Sequence, residues 1–321
     1  MSRRRLWTVV LALVCGTGLL EVGTRVWVDD PSSADFVFDE FHLDSQLGAK
    51  RVIRAGGMQG ERGWISINAQ GFRGTAPFVR ERIEGVQRIA VAGTGHAFGE
   101  HLTDEQTWPE HLEQALGLRS GHPVEVYNYG RPGATVVYLD RFLMDEILPH
   151  SPDVVILAYG GFNEALLADI EEMQTLDPEA RVQNILRGSS VYAHLERFMW
   201  RVRREMAGHP RSPKVPVETF TRLLSAAIES ATASGAQVVL MQELVIHPDI
   251  PGVWELDRME DYHRAISDLA STHGVPVFDP AQVIPKADRE GYFWRDLLYD
   301  ARSTERIGAG MAELLSESAA Q

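Results

Sequence analysis

The polar residues that could do chemistry gather in short blocks that follow apolar runs. Thr94 and His96 stand in Val91-Ala92-Gly93-Thr94-Gly95-His96. Gly130 lies in Tyr127-Asn128-Tyr129-Gly130-Arg131-Pro132-Gly133. Asn163 and Glu164 close Tyr159-Gly160-Gly161-Phe162-Asn163-Glu164, and Asp296 and Tyr299 come late in the chain. A hydroxyl and an imidazole are groups that nucleophilic acyl transfer could use. That reaction needs a nucleophile within hydrogen-bond reach of a base, and donors that polarise a carbonyl. Thr94 is open to use as a nucleophile. Its place in a tight Gly-Thr-Gly turn favours a hydroxyl that satisfies backbone groups, because the sequence places no base beside it. His96 has two readings: a ligand contact or new base, or a partly exposed histidine at a helix start. Glu100 and His101 follow on a loop and are expected in solvent. No group of His, Asp and Glu has metal-ligand spacing, and the Gly93-Thr94-Gly95 turn lacks the lysine of a phosphate loop. Neither a metal nor a cofactor is expected.

The elements that must position these residues are legible from residue 86 onward. Short β-branched runs bounded by Gly, Pro or polar residues predict strands at Ile89–Ala92, Val124–Tyr129, Val154–Ala158, Val238–Met241 and Val275–Phe278. Between them lie amphipathic helices. Thr107-Trp108-Pro109-Glu110 reads as a capping box with proline in the first turn, followed by Leu112 and Leu116 on one face and Gly117 as the stop. Phe220, Leu224, Ala227, Ile228 and Ala231 form a second face ending near Gly235. Met259, Tyr262, Ile266 and Leu269 form a third ending near Gly274. A last helix starts near Ser303 and carries Ile307, Met311 and Leu314. Alternating strands and helices predict a three-layer α/β/α domain with a flavodoxin-like, five-stranded parallel sheet, whose ligands bind beyond the carboxyl ends of the strands.

Composition narrows the function classes. The 321 residues carry a formal net charge of -14, which disfavours binding to a phosphate backbone. The one cysteine, Cys15, lies in the N-terminal apolar stretch, so disulfides within the chain are excluded. Arg3, Arg4 and Arg5 precede an apolar run from Leu6 to Leu20, extendable to Val28 past Glu21 and Arg25. This is the layout of a single-pass signal-anchor over residues 1–28, with the domain on the extracytoplasmic side of a bacterial inner membrane; a cleaved signal peptide is the alternative. Val14 before Cys15 argues against lipoprotein processing. Residues 29–85 read as a loop-rich lead-in, and 86–321 as the domain. Residues 181–206, with Arg181, Arg187, Arg197, Arg201, Arg203 and Arg204 among apolar positions, form a basic amphipathic insertion. A solvated face is favoured there over a membrane-surface helix or a lid.

Taken together, the strand-end blocks resemble the SGNH/GDSL hydrolases over about residues 65 to 316. The lead-in Ile67-Asn68-Ala69-Gln70-Gly71-Phe72-Arg73-Gly74 and the segment Leu20-Glu21-Val22-Gly23-Thr24-Arg25 look like signatures of membrane-anchored bacterial members. The resemblance implies a Gly-Asp-Ser block at the first strand, an oxyanion hole built by Gly130 and Asn163, and a late Asp-x-x-His. This chain departs from that pattern twice. Gly95 stands where the nucleophile belongs, with Thr94 in place of the aspartate before it. Tyr299 stands where the base belongs, three residues after the retained Asp296. No serine lies between Ser66 and Ser120, and no histidine after His273. A glycine cannot attack, and a phenol of ordinary pKa near 10 is a poor base at neutral pH. Gly130, Asn163, Thr94, His96 and Glu164 remain as ligand contacts, with Glu164 orienting its loop. Tyr299 is expected to fill the place of the histidine, its hydroxyl on Asp296. The favoured expectation is a catalytically inactive protein that binds an acyl or glycan ligand or an envelope protein partner. The alternatives are an esterase or acyltransferase of altered mechanism, and a structural subunit of a membrane complex.

Overall fold

The computed structural model describes residues 58–59, 64–99, 101–165, 213–244, 256–284, 293–294 and 298–319. The expected anchor, most of the lead-in, the basic insertion at 181–206, Glu100 and Asp296 lie outside these residues.

Five strands form one parallel sheet: β1 (Gln87–Gly93), β2 (Val124–Asn128), β3 (Val154–Ala158), β4 (Gln237–Met241) and β5 (Val277–Phe278), in the order β2-β1-β3-β4-β5. Ile89 pairs with Val126 on one side and Val154 on the other, and Val91 with Asn128 and Ile156. This is the doubly wound architecture expected. It forms because β3 is apolar at every position and buried throughout, as a strand covered on both faces must be. Alternate residues then feed two cores. Ala90, Ala92, Val155, Leu157, Val238 and Leu240 pack with α5 (Val217–Ala233) and α6 (Leu256–His273). Ile89, Val91, Val154, Ile156, Val239 and Met241 pack with α2 (Trp108–Ser120) and α7 (Ala301–Ala319).

Three shorter helices complete the numbering: α1 (Gly95–Phe98), α3 (Leu139–Phe142) and α4 (Phe162–Ala165). Of these, α1 and α4 begin just beyond the ends of β1 and β3.

Several boundaries differ from expectation for identifiable reasons. Gly117 is not a stop: α2 runs on to Ser120 and ends at Gly121, whose φ of 69° supplies the left-handed turn. Thr107 does not build the capping box. Its hydroxyl donates backward to the Asp104 carbonyl (3.3 Å), and the reciprocal contact lies one turn earlier, where the Thr103 N–H donates to Gln106 Oε1 (3.2 Å). The last helix starts at Ala301 because Asp300 caps it, accepting from the N–H groups of Arg302 (3.0 Å) and Ser303 (2.9 Å). β5 starts at Val277, since Pro276 has no N–H to donate and contributes only its carbonyl, to the Leu240 N–H.

Two buried polar side chains order the lead-in, Asn68 within it and Arg73 against the domain. Asn68 Oδ1 accepts from the N–H groups of Gln70 and Phe72, each at 3.0 Å. The Arg73 guanidinium donates to Asp104 (2.9 Å) and to the carbonyls of Gly99 (3.0 Å) and Leu102 (2.7 Å), and so secures the chain that leaves α1.

Candidate functional site

The parallel sheet directs the C-terminal ends of β1, β3 and β4 to one edge, where this architecture presents ligands. Thr94 follows β1 and caps α1, its hydroxyl oxygen accepting the His96 N–H at 3.3 Å. That hydroxyl in turn donates to Glu243 Oε1. His96 Nδ1 lies 3.2 Å from the same oxygen, and the Phe162 N–H donates to Glu243 Oε2 at 3.2 Å. A carboxylate can only accept, so His96 carries its proton on Nδ1 in this arrangement. Thr94, His96 and Glu243 are 1 %, 5 % and 1 % exposed. Burial alone would raise the Glu243 carboxyl; the hydrogen bonds from His96 and Thr94 outweigh it and hold the group below the usual carboxylate range.

Glu243 was not among the residues singled out from sequence. Its signal was positional: an acidic residue two places past the end of the fourth strand. A second signal was the Gly160-Gly161 pair after β3. A Cβ on Gly160 would lie 2.0 Å from the Glu243 nitrogen, so only glycine lets Glu243 approach. Gly161 has φ of 96°, and a Cβ there would meet the Tyr262 ring.

His96 is buried, not partly exposed at a helix start. Its ring stands 5.2 Å from that of Phe162, edge to face, and 4.7 Å from that of Tyr299. His101 is buried as well, at 4 % exposure, where solvent was expected; the turn that carries it is drawn inward by Arg73. Tyr299 reaches the edge of the site, next to His96. Its hydroxyl accepts the Leu244 N–H at 2.8 Å, so the phenol caps the chain just beyond Glu243. The expected partner, Asp296, lies outside the described residues. Burial pushes the Tyr299 phenol well above its ordinary value, so it remains protonated at neutral pH.

Gly130 and Asn163 are both engaged within the protein. The Gly130 N–H donates to Asn128 Oδ1 (2.9 Å), and Asn128 Nδ2 donates to the Ala97 carbonyl (2.8 Å), which ties the second block to α1. Asn163 Nδ2 donates to the Ala134 carbonyl at 2.7 Å. Glu164 is fully buried. Its Oε1 accepts the Val136 N–H at 2.8 Å, and Oε2 has no hydrogen-bond partner among the described residues. Burial and, next, the charge of Glu243 push the Glu164 carboxyl up to about 8. Two neighbouring carboxyls therefore differ in charge: Glu243 is ionised and Glu164 carries its proton near neutrality. No group of three or more His, Cys, Asp or Glu among the described residues could hold a metal ion.

No curated protein matches this sequence. Among solved structures, the chain is similar to the lipase/acylhydrolase from Enterococcus faecalis (18 % identity, covering 72 % of this chain and 96 % of that one, TM-score 0.49). It is also similar to the psychrotrophic esterase from a Pseudoalteromonas species (14 % identity, 73 % and 100 %, TM-score 0.49). A third is the acetylxylan esterase from Geobacillus stearothermophilus (13 % identity, 71 % and 92 %, TM-score 0.48). The model of the GDSL-like lipase/acylhydrolase family matches residues 90–302, which span β1 through the start of α7 and so contain the whole cluster around Glu243. The chain belongs to the GDSL-like lipase/acylhydrolase family.

Proposed function

We propose that this member of the family is catalytically silent and serves to bind an acyl or glycan ligand, or an envelope protein partner, outside a bacterial inner membrane. One observation carries the reading: the polar side chains at the strand ends are already engaged with one another. The Thr94 hydroxyl is bonded to Glu243, and Gly95 has no side chain. The Tyr299 phenol caps Leu244 with its proton held by burial. Acyl transfer would need a hydroxyl bonded to a base strong enough to take its proton, and the Glu243 carboxylate, held below its ordinary range, is a poor one. Loss of either member of such a pair costs several orders of magnitude in rate. The test is turnover of p-nitrophenyl acetate and acetylated sugars by the purified chain. No turnover above the buffer rate is expected. Robust turnover that disappears with Asn163→Ala refutes the proposal.

A second reading, an esterase or acyltransferase of altered mechanism, has one observation in its favour. A carboxylate on His96 Nδ1 is the arrangement that orients an imidazole as a base. Fluorophosphonate labelling separates the two, since an adduct on Thr94 supports the second.

Attachment to the membrane is part of the proposal and rests on Arg3 to Arg5 and the apolar run that follows. Among the described residues no helix is long and apolar enough to cross a membrane, and residues 1–28 are not among them. Full-length protein in the alkaline-carbonate-resistant membrane fraction is the expected result. Release into the supernatant removes this part of the reading.

A further inference from the structure

Glu243 lies beyond the end of β4, on the side where this architecture presents ligands. It stands at the carboxyl edge of the sheet and is reached by donors from two other strand ends: the Thr94 hydroxyl and His96 Nδ1 beyond β1, and the Phe162 N–H beyond β3. Both of its oxygens are served. The backbone around it is fixed separately. The Glu243 carbonyl lies 3.0 Å from His263 Nε2, and the next N–H donates to Tyr299. The side chain can therefore be removed while its main chain stays anchored. The donors are themselves held in place: Thr94 by the His96 N–H, and the His96 ring between Phe162 and Tyr299. Preorganised donors in a site closed to water suit an anion, because they need no rearrangement when it binds. The depressed pKa of Glu243 has the same origin.

We infer that Thr94, His96 and the Phe162 N–H form a carboxylate-binding cradle that the chain fills with its own Glu243, and that a small external carboxylate binds there when this side chain is withdrawn. The ligand class follows from the geometry. Two oxygens of one planar group meet a hydroxyl and an imidazole N–H on one side and a backbone N–H on the other. A spherical halide satisfies only part of that set. The inference goes beyond the proposed absence of turnover and is read by binding, so an active chain would sink that proposal and leave this one standing.

The experiment uses the full-length chain with Glu243→Ala, its melting temperature followed against sodium acetate at pH 7, with sodium chloride and sodium pivalate at matched ionic strength. Removing the carboxylate takes the shared acceptor from the Thr94 hydroxyl, His96 Nδ1 and the Phe162 N–H and lowers the melting temperature. Acetate should restore several degrees with saturable dependence, half-complete at a concentration on the order of millimolar for a four-atom ligand. Chloride, the bulkier pivalate, and acetate added to the unaltered chain should have no such effect. An Ala variant that ignores acetate, or responds equally to chloride, overturns the inference. Where Glu243→Ala yields no folded protein, recovery on refolding in acetate but not chloride counts for it, and failure in both counts against. Nuclear magnetic resonance gives an independent reading. A low-field proton on His96 Nδ1 is expected in the unaltered chain and should vanish in the same-sized Glu243→Gln variant; its absence from the unaltered chain overturns the inference.

Discussion

Glu164→Gln should abolish a loss of stability that the unaltered domain suffers as pH rises. Glu164 is fully buried, with one oxygen on the Val136 N–H and the other without a hydrogen-bond partner among the described residues. Burial and the nearby charge of Glu243 raise its carboxyl from 4.5 to about 8. The charged groups facing it are Glu243 and, in the opposite sense, Lys214. The folded state binds the proton more tightly than the unfolded chain, so this group's contribution is fully present below the unfolded value. It declines through the interval between that value and about 8, and is lost above it. Within the interval the decline is about 1.4 kcal/mol per pH unit, and across the whole of it on the order of 5 kcal/mol. Glutamine keeps an oxygen for Val136 and cannot ionise. Urea denaturation from pH 5 to pH 9 is the assay. The unaltered chain should weaken relative to Glu164→Gln as pH rises over this range, the difference between the two profiles being the contribution of this carboxyl, with Glu164→Gln overtaking it at the alkaline end. An identical slope in both would show that Glu164 gives up its proton in the folded chain as readily as in the unfolded one, and the argument from burial would fail.

Further outcomes follow from the same contacts. Acid should weaken the domain through Glu243, whose carboxyl is depressed. Its contribution is present above the unfolded value and is lost as pH falls through the lower folded one. Glu243→Gln should flatten that acid limb and, by removing the charge that helps to raise Glu164, also shorten the alkaline one. Tyr299→Phe keeps the ring against His96 but strands the Leu244 N–H, at a cost of about 1–3 kcal/mol in urea denaturation; a change under about 0.5 kcal/mol would mean the N–H finds another partner. Gly160→Ala forces a carbon to within 2.0 Å of the Glu243 nitrogen and should destabilise by about 3 kcal/mol or more. Gly117→Ala is the contrast: nothing lies within 4 Å and the position is inside α2, so it should raise stability by about 0.5–1 kcal/mol. A destabilised Gly117→Ala chain would mean that α2 ends at residue 117 after all.

How much was legible varies with the range of the interaction involved. The strands could be placed within a residue or two because each carries β-branched residues bounded by polar, Gly or Pro positions, most plainly β3, which is buried on both faces and tolerates little else. The apolar stripes of α5 and α6 were visible for the same local reason, and Gly235 and Gly274 marked their ends. That position 95 offers no side chain and position 299 a phenol could be read directly, since the identity of a functional group needs no coordinates. Cap details failed because Thr103 and Thr107 offer near-equivalent local bonds, and packing selects between them.

Taken alone, then, the order of residues determined a doubly wound sheet, the strand ends at which polar groups collect, and the presence of a glycine at 95 and a tyrosine at 299. Tertiary structure decided which polar groups meet at those strand ends. Glu243 is 149 residues from Thr94 and meets it only because β3 and β4 lie side by side and Gly160 leaves room between them. The charge states of Glu164 and Glu243, two side chains of the same chemistry, were likewise set by the fold: one carboxyl was surrounded with donors, and the other was buried with a single N–H for company.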